Sequence, residues 1–257
     1  MQTRRGRRWV TVLSAVVLLA ALTWTTTPST FGATTTVTVG VKHNISALLI
    51  APDGSGPYPG VLVLGTGRGL EQYHIQVANR LAAAGYVCLA PRYLEAYGLT
   101  GEGRFEGFTT MVEPIYADLA QAVDVLKHDP KVAGGPVAAM GFSHGGFYTV
   151  LLAARGEVDA GVDYYGAVSA NNVDANLTRF RSSITEQSSP MLLLVGTKDG
   201  YYKATVLLSH MLRDANVRHR LIVYKGLGHE FDREDPKAAQ DAWQKTLGFL
   251  AFKLKKN

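Results

Sequence analysis

Gly141, Phe142, Ser143, His144 and Gly145 form a G-x-S-x-G pentapeptide, the pattern of a sharp strand-to-helix turn that lifts a serine hydroxyl above a sheet. The flanking glycines suit a crowded backbone with no room for side chains. An apolar run ends at Met140 and a helical pattern opens at Gly146, Phe147, Tyr148, Val150 and Leu151, the context such a turn requires. A serine hydroxyl is a weak nucleophile at neutral pH. It needs a base, and the base needs an acid that fixes its tautomer. In a strand–turn–helix setting the chain order is serine, acid, histidine. Asp199, in Gly196-Thr197-Lys198-Asp199-Gly200, follows an apolar run, and His229, in Gly226-Leu227-Gly228-His229-Glu230-Phe231, follows the last one. Ser143, Asp199 and His229 are therefore the candidate catalytic residues for acyl transfer at an ester carbonyl.

Competing assignments are weaker. Asp199 could serve only as a helix cap for a segment starting near Tyr201. Asp163 is the alternative acid, but Tyr164-Tyr165 after it continues a strand pattern. Of the other histidines, His43 precedes the serine, His74, His128 and His210 fall in helical patterns, and His219 begins a strand. The negative oxygen of a tetrahedral intermediate needs donors. The His144 N–H is one candidate, and Gly67, with Thr66 next, is the other, from the loop Gly65-Thr66-Gly67-Arg68-Gly69. That loop lacks the Lys-Ser/Thr ending of a phosphate loop. The His144 side chain is expected on the surface of a helix start.

These residues need a scaffold of alternating strands and helices, and the chain supplies one. Val37–Val41 and Ile45–Ile50 suggest an opening hairpin. Strands are expected at Val61–Leu64, Tyr86–Ala90, Val137–Met140, Val162–Tyr165, Met191–Val195 and Arg218–Tyr224. Helical periods cover Glu71–Ala84, Thr109–Lys127, Gly145–Ala154, Tyr201–Ala215 and Pro236–Phe252. Repeated strand–helix units imply an α/β domain with a mostly parallel sheet and helices on both faces. Ligands then bind beyond the carboxyl ends of the strands. The loop Pro91–Phe108, with Tyr93, Tyr97, Phe105 and Phe108, and the segment Ala167–Ser189 are expected to line the site. Neither is long enough for a separate lid domain.

With 257 residues, 47% of them apolar, the chain suits one domain. Residues 1–33 carry Arg4, Arg5, Arg7 and Arg8, then an apolar run from Trp9 to Leu22, and no acid. This is the form of a secretory signal, retained as an anchor if uncleaved, leaving 34–257 as the catalytic domain. Removing those four arginines from the 26 Lys+Arg leaves 22 against 21 Asp+Glu, so charge gives no reason to expect nucleic acid as a partner. Membrane contact is expected only through a retained leader. The single cysteine, Cys88, lies in an apolar strand and is expected to be a packed thiol. No metal-ligand cluster or cofactor motif stands out.

The succession Tyr58-Pro59-Gly60-Val61, Gly85-Tyr86-Val87, Ala90-Pro91, the serine turn, Tyr164-Tyr165-Gly166, Pro190 to Asp199 and Tyr224 to Phe231 resembles the dienelactone hydrolase branch of the α/β-hydrolase superfamily. The resemblance spans nearly all of 34–257 and places nucleophile, acid and base on Ser143, Asp199 and His229. Two departures redirect the expected substrate. The best-known members carry cysteine where this chain has Ser143, which favours a general serine esterase. They also hold a carboxylated lactone with charged groups, whereas here Glu71 is shifted and Tyr93–Ala96 lacks the expected arginine. The expectation is thus a small-molecule ester substrate other than dienelactone. An acyltransferase or peptidase with the same triad, or a binding module without catalysis, are the alternatives.

Overall fold

In the computed structural model, residues 34–166 and 173–255 are described. The expected leader, residues 1–33, and positions 167–172 of the expected site-lining segment lie outside them. Eight strands form one sheet in the order β1-β2-β4-β3-β5-β6-β7-β8. β1 (Thr34–Val39) and β2 (Ile45–Ile50) make the antiparallel hairpin, and β2 pairs antiparallel with β4 (Val87–Pro91). From β4 through β3 (Gly60–Leu64), β5 (Val137–Phe142), β6 (Ala160–Tyr164), β7 (Met191–Gly196) and β8 (His219–Tyr224), every pairing is parallel.

The central strands are apolar throughout because both faces are covered. Val61 and Val63 of β3 point to one core, which holds α1 (Gln72–Ala83) and α8 (Pro236–Leu254). Leu62 and Leu64, one residue out of phase, point to the other, with α3 (Val112–His128), α4 (His144–Ala154) and α6 (Tyr202–Asp214). α4 is buried along its whole length, which explains its weakly amphipathic sequence.

Three stretches expected as irregular are partly ordered. The loop after β4 contains α2 (Tyr93–Ala96) and a 3-10 helix at Gly101–Phe108. The segment before β7 contains α5 (Val173–Ser183), and the turn after β8 contains α7 (Phe231–Glu234). Boundaries also shift: the first strand stops at Val39 because the chain turns at Gly40, where φ is +105°. Asp118 of α3 holds that turn by accepting from the N–H groups of Val41, Lys42 and His43 at 2.6, 2.5 and 3.1 Å. Among the described residues no helix is long and apolar enough to cross a membrane.

Candidate active site

The serine turn is built from backbone crowding. Ser143 has φ +53° and ψ −109°, a region L-residues rarely occupy and one associated with stored strain. Its N–H is held by the Tyr164 carbonyl at 2.9 Å, and the next turn is tied down by Gly145 N–H to the Gly65 carbonyl, also 2.9 Å. A Cβ on Gly145 would stand 2.5 Å from the Leu64 carbonyl oxygen and 2.6 Å from that of Gly65. No side chain fits there, so the glycine in the motif is a steric requirement.

Three strand ends bring the expected residues together. Ser143 Oγ lies 2.9 Å from His229 Nε2, and His229 Nδ1 lies 2.8 Å from Asp199 Oδ2. The Asp199 side chain is fully buried, and its other oxygen accepts the Tyr201 N–H at 2.8 Å. One carboxylate thus orients the histidine and holds the turn that leads into α6. The His229 ring stands edge-on between Tyr165, at 4.9 Å between centroids, and Tyr201, at 5.5 Å. Asp163, the alternative acid, does not reach the histidine: it is buried, packs against Gly146 and Gly166, and leaves Oδ1 without a hydrogen bond. Burial, with a contribution from nearby Asp199, raises its pKa to about 7.

The hydroxyl opens into a cavity of about 440 Å³ lined by Thr66, Gly67, Arg68, Arg104, Phe105, Phe108, Tyr201 and Glu230 besides Ser143, His144 and His229. The N–H groups of His144, which begins α4, and Gly67 meet no acceptor among the described residues. Phe105 and Phe108 line the cavity as expected, but Tyr93 and Tyr97 do not. Tyr93 lies buried behind His144, while Tyr97 donates to Asp118 Oδ2 at 2.8 Å and packs at a tilt against the His43 ring, 3.8 Å between centroids. α5 contributes no residue to the cavity lining. The His144 side chain, expected on the surface, is buried, because the 3-10 segment folds down over it.

A ring of charge that the separate motifs do not reveal closes one side of the site. Arg68 binds Glu71 at 3.0 Å and Glu230 at 2.5 Å, while Arg233 binds Glu71 at 2.9 Å and Glu230 at 3.6 Å. Burial would raise the Glu71 pKa, but hydrogen bonds from Arg68 and Arg233 override it and hold the carboxyl at about 2. The ring joins the Thr66–Gly69 loop to the turn carrying His229. Its arginines and carboxylates neutralise one another, and Glu71 faces Arg68 and Arg233. Two of its pairs, Arg68–Glu230 and Arg233–Glu71, join segments 162 residues apart in sequence.

The sequence pattern of the dienelactone hydrolase family matches residues 45–254. The chain belongs to that family and is a hydrolase with the α/β-hydrolase fold. It is 28% identical over 221 residues to a Bradyrhizobium protein named "Probable 2-oxo-3-(5-oxofuran-2-ylidene)propanoate lactonase", covering 81% of this chain and 89% of that one. It is 29% identical to an Escherichia coli K12 protein named "Putative carboxymethylenebutenolidase", covering 75% and 76% of the two chains. A crystal structure of a Klebsiella pneumoniae protein described as a "Putative Dienelactone Hydrolase" superposes with a TM-score of 0.68 at 25% identity, covering 86% of this chain and 99% of that one.

Proposed function

We propose that this hydrolase cleaves carboxylic esters, lactones included, through an acyl-enzyme formed on Ser143. The observation that carries this reading is the continuous hydrogen-bonded line from Ser143 Oγ through His229 to Asp199, at 2.9 and 2.8 Å. His229 Nε2 takes the proton as Ser143 Oγ attacks the carbonyl carbon. Asp199 holds Nδ1–H toward itself and stabilises the imidazolium. The oxyanion is received by the N–H groups of His144 and Gly67, with Thr66 beside them, each worth about 3 kcal/mol in such sites. His229 then returns the proton to the leaving alkoxide, and water, activated the same way, frees the acid. In a lactone the alkoxide remains part of the same molecule as the acyl group, and the chemistry is otherwise unchanged.

The names of the relatives support lactones as part of the substrate range, and a serine nucleophile favours esters broadly. Labelling with a fluorophosphonate tests the nucleophile. Wild type is expected to label stoichiometrically and Ser143→Ala not at all; equal labelling of both would reject the assignment. A series of nitrophenyl esters of increasing acyl length then ranks substrates. The arginine-led apolar leader supports export, tested by sequencing the N-terminus of protein recovered from outside the cytoplasm.

A further inference from the structure

His144 follows the proposed nucleophile, and its side chain is only 1% exposed although it lies beside an open cavity. Both ring nitrogens are engaged. Nε2 is 3.1 Å from the carbonyl oxygen of Arg104, and Nδ1 is 2.9 Å from the Tyr93 hydroxyl. A carbonyl oxygen only accepts, so Nε2 carries the hydrogen and Nδ1 accepts from Tyr93. Burial lowers the pKa of this imidazole to about 3, so the same neutral tautomer persists at working pH.

One turn along α4, Tyr148 donates to the Gly107 carbonyl at 2.6 Å. Residues four apart on a helix share a face, and here both face residues hold one segment, the 3-10 helix Gly101–Phe108. Gly107 permits the close approach: a Cβ there would stand 2.5 Å from His144 Nε2. The Phe108 ring packs on the imidazole at 4.3 Å. The fastened segment presents Arg104, Phe105 and Phe108 to the cavity. The Arg104 stem crosses so close to Gly67 that a Cβ on that glycine would lie 2.5 Å from Arg104 Cδ.

We propose that the His144 side chain is a positioning and specificity-determining group: it fastens Gly101–Phe108 to the nucleophile turn and makes Arg104, Phe105 and Phe108 a fixed wall of the substrate cavity. The proposal rests on Ser143 being the nucleophile. The imidazole touches no reacting atom; it acts through the segment it holds. Its consequence is that acyl groups are sorted by size against an immobile wall, and that loosening the wall relaxes the sorting.

The test compares His144→Phe, which keeps the ring but removes both hydrogen bonds, with His144→Gln, whose amide N–H retains a donor toward the Arg104 carbonyl. Trypsin cleavage after Arg104, followed in the native protein by mass spectrometry, reads opening of the segment directly, because cleavage tracks the open population. Loss of a buried hydrogen bond is expected to raise that rate about tenfold in the Phe variant. The ratio of kcat/KM for octanoyl over acetyl nitrophenyl ester should also rise about fivefold, in line with the larger open population. The Gln variant should return both readouts to within about twofold of wild type if its donor restores the contact. A Phe variant cut no faster than wild type with an unchanged chain-length ratio overturns the proposal, as does a Gln variant that behaves like Phe. Should His144→Phe not fold, Tyr93→Phe, which removes the hydrogen bond that fixes the His144 tautomer, carries the same comparison. If wild type failed to label with a fluorophosphonate, the Ser143 reading would fall. The trypsin comparison needs no turnover and would still decide the clamp.

Discussion

Asp163 and Asp199 project from neighbouring parallel strands, β6 and β7, yet only Asp199 hydrogen-bonds His229. Asp199 stands three residues past Gly196, the end of β7, and so clears the rim, whereas Asp163 is still within β6, with its carboxyl against Gly146 and Gly166. Burial above all, with the like charge of Asp199 adding to it, disfavours ionisation of Asp163. One carboxylate is left to face the histidine, and the other is pushed toward its neutral form.

That asymmetry has a measurable pH signature. The Asp163 carboxyl, ordinarily near 3.8, is raised to about 7 in the folded chain, so the folded state holds a proton that the unfolded state releases. Its stabilising contribution is complete below about pH 4 and is lost as pH rises through 7, by at most about 4 kcal/mol. Asp163→Asn cannot titrate. Relative to wild type it should gain stability between pH 5 and pH 8, read from urea midpoints at both pH values. An identical difference at the two would contradict the shift.

Asp199→Asn should leave the fold intact and lower kcat by about 10⁴-fold, the scale expected when a catalytic histidine is held in the wrong tautomer. Asp163→Asn, measured beside it on one ester, should change kcat by no more than about threefold, because it has no bond to the histidine. Comparable losses in both variants would mean that the acid is shared.

Arg233 is part of the charge ring and only 22% exposed. Arg233→Ala removes its contacts with Glu71 and Glu230 and leaves Arg68 as the ring's remaining link to the turn bearing His229. A partly exposed pair contributes about 1 kcal/mol to stability, so the melting temperature should fall by only a few degrees. Catalysis should suffer more, about tenfold in kcat, since small displacements of a catalytic base are costly. Unchanged kcat alongside a lowered melting temperature would show that the ring acts on stability alone.

Cys88 is fully buried in β4, and burial pushes its thiol pKa well above the usual range. A disulfide reagent should find no reactive thiol in the native protein and one per chain in denaturant. Rapid native reaction would contradict the packing of that strand.

Much of this architecture is legible in the sequence because it depends on local rules. β3, β5 and β7 are continuous apolar runs because both faces are covered, and the order Ser143, Asp199, His229 follows from strand ends. What stays hidden depends on distant encounters. Arg68 and Glu230 are 162 residues apart and meet only after the sheet assembles. The 3-10 segment, with Gly101, Gly103 and Gly107 among charged residues, has no period to detect and takes its shape from α4 beneath it. His144 looks like a solvated helix start until that segment covers it.

The backbone of Ser143, at φ +53°, also restricts which side chains this turn can host. A β-branched side chain is a severe outlier in that region, so threonine, despite a competent hydroxyl, would carry a methyl group into the crowded elbow. Serine and cysteine each place a single γ atom on Cβ and can exchange without that clash. The torsion at this position therefore selects against branching at Cβ, whatever the chemistry of the group beyond it.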